Sequence, residues 1–416
     1  AAPFIRGRAG WRIAQAFAHP DPAQTNRDIL DDLAGGVGAI ELVIDPEGER
    51  GVAIQSAGDL DAALADVLLE AAPVSLDAEG ISSALLLETK LKGVAASGTA
   101  FNLDPIWRKA DWADTLRFAQ RVRAELPNAS ALRADARPVH EAGATDAQEI
   151  AAALSIGISY LRALSDAGLP AGAAAPAIAF AISVGPDVLI EAAKLRALRL
   201  CWARVMEASG TEPQAREARI HAFTSQRMLT RYDSNTNILR ITTAAFAAAI
   251  GGANAITTGA FTDALGLPTP FARRVARNTQ AVLMEECRLG HVADPAGGAW
   301  FVEKLTRELA AKAWEIMQLI ESKGGIVATL ESGLLPDLVA GARTARQKLI
   351  ATRRETITGV TDFPLLDAKE PEVWPMDRRR PRRPAPAFAG EGAGGPYLTP
   401  IRWADPFEAL LPRLGE

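Results

Sequence analysis

The run Ala177-Ile-Ala-Phe180-Ala-Ile182-Ser-Val184, closed in front by Pro176 and behind by Gly185, decides the fold. Eight residues with only one hydroxyl among apolar side chains are the length of a strand buried on both faces. Pro186 follows, in the first-turn position where a missing N–H costs a helix nothing. The helical pattern then runs to about Ala208 and stops at Gly210. A buried strand followed at once by a long helix is the unit of a parallel sheet.

The same unit recurs in both directions. Upstream, Asp21 to Leu33 reads as a helix closed by Gly35-Gly36, and Ala39-Ile40-Glu41-Leu42-Val43-Ile44 as a buried strand. Ser56-Ala-Gly-Asp59 is a capping box opening a helix to about Leu69. Val74 to Leu76 is a short strand, Ile81 to Lys90 a helix, and Leu132 to Ala136 another strand. Thr145 with Gln148 caps a helix toward Ala167. Downstream, Arg219–Thr224, Thr236–Ile250, Ala253–Thr258 and Arg273–Cys287 continue the alternation, and an amphipathic helix over Val302 to Ile320 ends at Gly324-Gly325. Seven or eight such units predict an α/β protein, a (β/α)8 TIM barrel over 1–366 with an N-terminal arm and extra helices. After about Asp367 the text turns to Pro, Arg, Ala and Gly. Residues 367–416 therefore read as a linker or wrapping tail, anchored by Trp403, Phe407, Leu410 and Leu411. The strands offer Phe180, Ile182, Ile220 and Phe223, and alternation is expected to turn some of them inward to fill the barrel axis.

Composition excludes several classes of function. The 416 residues carry a net charge of −5, so no whole-chain electrostatic footprint for nucleic acid exists. The Arg378–Arg383 run reads as a solvated extended segment. Two cysteines, Cys201 and Cys287, exclude a disulfide framework and point to a reducing cytoplasm. No apolar run is long enough to span a membrane. Gly35-Gly36-Val37-Gly38 lies between helix and strand, the wrong order for a phosphate loop, and reads as a helix cap. The four histidines, His19, His140, His221 and His291, lack the neighbours of a zinc site, so no metal site is expected. His140 and His221 lie at candidate strand ends, where barrel chemistry occurs, though a structural hydrogen-bonded role suits them better.

Several blocks resemble the methylmalonyl-CoA mutase family. They are Glu191-Ala-Ala-Lys194-Leu-Arg196-Ala-Leu-Arg199-Leu-Cys-Trp202, Arg219-Ile-His221-Ala-Phe-Thr-Ser225, Asn235-Thr-Asn237-Ile-Leu-Arg240, Asp263-Ala-Leu-Gly-Leu-Pro-Thr269, Ala276-Arg-Asn-Thr-Gln280 and Asp294-Pro-Ala-Gly-Gly-Ala-Trp-Phe-Val302. Glu141-Ala-Gly-Ala-Thr145 and Tyr160-Leu-Arg162-Ala163 are similar too. The resemblance implies a radical rearrangement of an acyl-CoA carbon skeleton with adenosylcobalamin, the cofactor supplying the difficult step. It also implies what is missing. Where catalytic members carry a Tyr-His pair this chain has Arg137-Pro138. The tyrosine of their opening motif is Ala16, the glutamine of Gly-Thr-Ile-Gln-Asn is Phe101, and a histidine is Gly252. No Asp-x-His-x-x-Gly cobalt-ligating motif occurs. Within the family this pattern resembles the small (beta) subunits, as do the opening Trp11-Arg-Ile-Ala-Gln-Ala-Phe17 and the segment Ile401-Arg-Trp403-Ala-Asp-Pro-Phe407.

Four expectations follow from the resemblance. The chain holds no catalytic or cofactor-binding residues of its own, and no cobalamin domain. The adenosylcobalamin belongs to a catalytic alpha subunit. The two chains form a heterodimeric methylmalonyl-CoA mutase. The alternative is a substrate-binding subunit of another acyl-CoA mutase with its cobalamin domain on a separate chain.

Overall fold

The computed structural model describes residues 10–95, 97–107, 110–366, 369–374 and 398–411. Eight parallel strands close into a barrel in chain order: β1 (Arg12–Phe17), β2 (Ala39–Val43), β3 (Val74–Asp77), β4 (Ala100–Leu103), β5 (Ser130–Asp135), β6 (Ile178–Val184), β7 (Ile220–Thr224) and β8 (Ala255–Thr257). The ring closes where Arg12, Ile13 and Ala14 register against Ala255, Ile256 and Thr257. The (β/α)8 expectation holds. The decisive strand occupies Ile178–Val184, buried along its whole length, and leads into the helix Val188–Ala208. Both capping boxes form, Ser56 with Asp59 and Thr145 with Gln148. Gly35 caps its helix and Gly36 takes φ +96°, where a side chain is disfavoured, as the helix-cap reading of that run requires.

Some elements differ from expectation. The helix after Ser56 ends at Ala63 instead of near Leu69, and the one after Thr269 spans Pro270–Ala281 and closes in a π-turn at Val282–Glu286. Strands β1 and β4 and the helix Trp112–Glu125 carry no strong apolar run, and the alternation read above passes over them. The extra helices anticipated are Gly325–Glu331 and Leu334–Ala351, beyond the long helix Trp300–Ser322.

The inward and outward faces correct the expectation for the axis. Phe180 sets its ring edge on Trp202 of the following helix, 4.9 Å between centroids, and crowds Gly157 on the helix Asp146–Asp166. Phe180, with Ile182 two residues on, therefore faces the helices. Ile220 alternates against Phe223 and faces outward as well, so only Phe223 of the four turns to the lumen. Charged side chains fill the space instead.

In the tail, Trp403 is buried and Phe407 and Leu411 pack beside Tyr232, Val360 and Ala404. Leu410 is 82% exposed and anchors nothing in this chain, a correction to the four-anchor reading. The Arg378–Arg383 run lies outside the described residues.

Candidate functional site at the barrel mouth

Three strands put alternate acidic or basic residues on the inner face, and these meet across the axis. Arg133 of β5 reaches Glu41 of β2 at 2.9 Å, with both side chains 1% exposed. Its guanidinium also lies 3.4 Å from Asp77 of β3 and 3.5 Å from Asp135. One level higher, Arg137 grips Asp135 at 2.6 Å, approaches Asp77 at 3.5 Å and lies 4.1 Å over the ring of Phe223. Burial raises the Glu41 carboxyl, and Arg133 opposes that rise. His221 stacks on Phe223 and shares a 2.8 Å hydrogen bond with Thr257. Burial, reinforced by Arg133 and Arg137, pushes its imidazole down to about 3, so it is neutral at physiological pH.

Above this charged floor opens a cavity of about 820 Å³ at the C-terminal ends of the strands. Trp374 and the segment Leu398–Arg402 form part of its wall. Ile401 donates its N–H to the Glu141 carbonyl, Trp403 donates to the Arg227 carbonyl, and Arg402 pairs with Glu408 at 2.7 Å. The Trp403 ring packs against the guanidinium groups of Arg227 and Arg346. The tail is thus bonded to the rim.

A second buried network lies behind the wall. His140 Nδ1 is 2.7 Å from Glu149, and its Nε2 is 2.9 Å from Ser225 Oγ. This has the connectivity of a nucleophile–base–acid chain, but Ser225 and His140 are 1% exposed and Glu149 is fully buried. No substrate atom can approach the hydroxyl. Burial, with Arg227 and Lys194 nearby, holds the His140 imidazole well below its ordinary range. His140, Asp146 and Glu149 bring ligand atoms within 4.8 Å of one another, the one such group among the described residues. The ammonium of Lys194 already bonds Asp146 at 3.0 Å, Glu149 at 2.9 Å and Glu191 at 2.5 Å, so the local cation is a lysine. These carboxylates drive the Lys194 ammonium upward against its burial.

Of the five positions singled out in sequence, Ala16, Arg137 and Pro138 converge on the cavity. The other two do not. Phe101 packs edge-on against Phe118 on the helical side, 5.0 Å between centroids, and Gly252 sits before β8, its carbonyl accepting from Arg199 at 2.6 Å. The lumenal charges Glu41, Asp77, Arg133 and Asp135 went unremarked in the sequence. Their signal was present: a charge in the middle of each of two apolar strand patterns, which only an interior ion pair accommodates.

A closed (β/α)8 barrel with a cavity at the C-terminal ends of its strands is the scaffold on which barrel enzymes place their sites. A model of the methylmalonyl-CoA mutase family matches residues 91–384, and the chain belongs to that family. It is 42% identical to the methylmalonyl-CoA mutase small subunit of Streptomyces virginiae, over 99% of this chain and 67% of that one. It is 37% identical to the small subunit of Propionibacterium freudenreichii subsp. shermanii, over 90% and 61%. The methylmalonyl-CoA mutase of Escherichia coli is 28% identical over 90% of this chain and 58% of its own length. The resemblance to small subunits expected from the motifs is therefore found. The chain spans about two thirds of the length of these small subunits.

Proposed function

We propose that this chain is the structural, non-catalytic small subunit of an adenosylcobalamin-dependent methylmalonyl-CoA mutase. It pairs in the cytoplasm with a catalytic large subunit that converts (R)-methylmalonyl-CoA to succinyl-CoA. It takes no part in nucleic-acid or membrane binding. Among the described residues, no single helix is long and apolar enough to cross a membrane.

The observation that carries the reading is the Arg133–Glu41 pair. An acyl-CoA threaded down the barrel needs an open axis, and this pair bridges strands three places apart at 2.9 Å. Separating it would leave buried charges unpaired. The mouth supports the same reading. Arg137 and Pro138 stand where catalytic relatives carry a Tyr-His pair: the proline has no side-chain proton to give, and the arginine is engaged by Asp135.

The residues present do not fit cobalamin. His140 is hydrogen-bonded at both ring nitrogens and His221 at Nε2, and neither lines the cavity; His19 does line it, but its Nδ1 accepts from the Asp21 N–H and its ring meets Trp374 edge-on, and the tail segment Leu398–Arg402 forms part of the wall. No reaction step is assigned to the cofactor in this chain. In the complex it belongs to the large subunit, and this barrel contributes a rigid, folded partner surface that stabilises both chains by mass action.

Co-expression with a catalytic large subunit, followed by size-exclusion chromatography, tests the pairing. A stable one-to-one complex is expected. Elution as two independent species at micromolar concentration would refute it.

A further inference from the structure

Four consecutive apolar residues stand on the outside of the molecule. Phe363, Pro364, Leu365 and Leu366 are all exposed, the phenylalanine by 87% and the leucines by 52% and 62%. Leu410 is 82% exposed near the same place, since Phe407 and Leu411 on either side of it pack with Val360. An exposed run of this kind is a fault on a folded surface unless something covers it.

The run is held in place by the turn before it. Val360 is buried against Tyr232 and Ala404. The Gly359 N–H donates to the Asp362 carbonyl at 2.8 Å, and the Thr361 hydroxyl donates to the Asp362 carboxylate at 3.0 Å. Beyond this turn Phe363 takes φ +57°, a left-handed conformation unfavourable for a bulky residue, and Pro364 after it favours an extended backbone instead. Strain of this kind persists only where the surroundings impose it. Its result here is an aromatic ring turned away from the chain's own core.

Phe363, Leu365, Leu366 and Leu410 together expose roughly 500 Å². One side of a standard protein interface is about 800 Å², of which roughly 500 Å² is apolar. The patch therefore has the apolar area of one complete face. A second copy of this chain does not suit it. Two-fold pairing sets a patch against itself, and a projecting turn is not complementary to a projecting turn. The apolar groove lined by Phe271, Val275 and Val282 would receive it only head to tail, which builds rings or filaments. The occupant is a different chain that offers an apolar recess.

We propose that the turn carrying Phe363 to Leu366, with Leu410 beside it, is the surface on which the catalytic large subunit docks. This rests on the small-subunit reading and adds where the pairing occurs.

The test is the affinity of the full chain for a methylmalonyl-CoA mutase large subunit from the same organism, measured on the purified proteins by analytical ultracentrifugation. Phe363→Asp, and separately Leu365→Asp together with Leu366→Asp, should each weaken pairing at least about tenfold. Leu68→Asp is the control. Leu68 is 72% exposed but precedes β3, at the amino-terminal end of the barrel, and its replacement should change the affinity less than about twofold. Aspartate accepts a left-handed backbone more readily than phenylalanine, so Phe363→Asp should leave the thermal midpoint of the chain alone unchanged or raised. A wild-type chain that does not pair would overturn the small-subunit reading and this surface with it. Normal wild-type pairing that the folded Phe363 and Leu365/Leu366 variants leave unchanged would overturn this surface alone. A chain that dimerises by itself, and loses that dimer on Phe363→Asp, would assign the patch to a second copy and equally overturn the proposal.

Discussion

Arg133 and Glu41 form an ion pair across the inside of the barrel, 2.9 Å apart and almost wholly shielded from water. Coming from β5 and β2, they tie together strands that share no ladder hydrogen bond. The pair replaces the layered aliphatic side chains that ordinarily fill such an interior. Arg133→Met should destabilise the fold by about 3–5 kcal/mol, because Glu41, Asp77 and Asp135 lose their shared cation. In the double variant with Glu41→Gln the loss should fall short of the sum of the singles by about 2 kcal/mol. Urea denaturation checks both, and simple additivity would show that the two side chains are not coupled.

The carboxylate cluster on Lys194 gives a pH signature. Burial pushes Glu191 from its ordinary 4.5 up to about 7, with the Lys194 ammonium opposing the rise. A group whose folded value is raised contributes stability that is fully present below its unfolded value and fades as pH rises through the folded one. Stability attributable to Glu191 should therefore decline between about pH 4.5 and 7. Glu191→Gln removes that decline, so the difference in unfolding free energy between wild type and variant should change across this window and flatten above it. A difference constant from pH 4.5 to 8 would rule the assignment out.

Gly157 marks how tightly the helices pack on the sheet. A Cβ there would stand 3.0 Å from Trp202 and 3.1 Å from Phe180. Gly157→Ala gains helix propensity of about 1 kcal/mol but should still destabilise by about 1–2 kcal/mol net, because both rings are fixed in the core. Thermal denaturation would show a lowered midpoint, and a raised one would mean that the rings yield.

The tail segment packs through Trp403, with Phe407 and Leu411 beside Tyr232 and Val360. The buried Trp403 ring packs against the guanidinium groups of Arg227 and Arg346, while its backbone N–H donates to the Arg227 carbonyl. Trp403→Ala should free residues 398–411 without unfolding the barrel. Amide exchange at that segment should accelerate at least about tenfold while β5 and β6 remain protected. Equal acceleration in the barrel strands would show that the tail is part of the barrel's cooperative unit.

Much of this architecture is written locally. Fully buried strands such as Ile178–Val184 announce themselves by apolar runs, and helix starts by capping residues whose hydrogen bonds the structure contains, at Ser56 and Thr145. Strands β1 and β4 have no such run, because Gln15 and Asn102 point inward, where a polar lumen accepts them. The site was less legible. That Arg137 and Pro138 stand at the mouth follows from chain order in a barrel. That Arg133 meets Glu41 depends on closure of the whole ring over 92 residues of separation, which no local pattern encodes. Phe180 illustrates the limit of periodicity. Alternation separates the two faces of a strand, but which face is inner is settled by Trp202 and Gly157 on neighbouring helices.

The central claim is that this barrel supports catalysis without performing it, and turnover measures that most directly. The purified chain, given adenosylcobalamin and (R)-methylmalonyl-CoA, should form no succinyl-CoA, while the same chain reconstituted with a catalytic large subunit should yield an active complex. Adding Arg133→Met and Glu41→Gln together should leave the kcat of any complex that assembles within about twofold, since the pair lines no reacting centre. Succinyl-CoA formed by the chain alone would contradict the account.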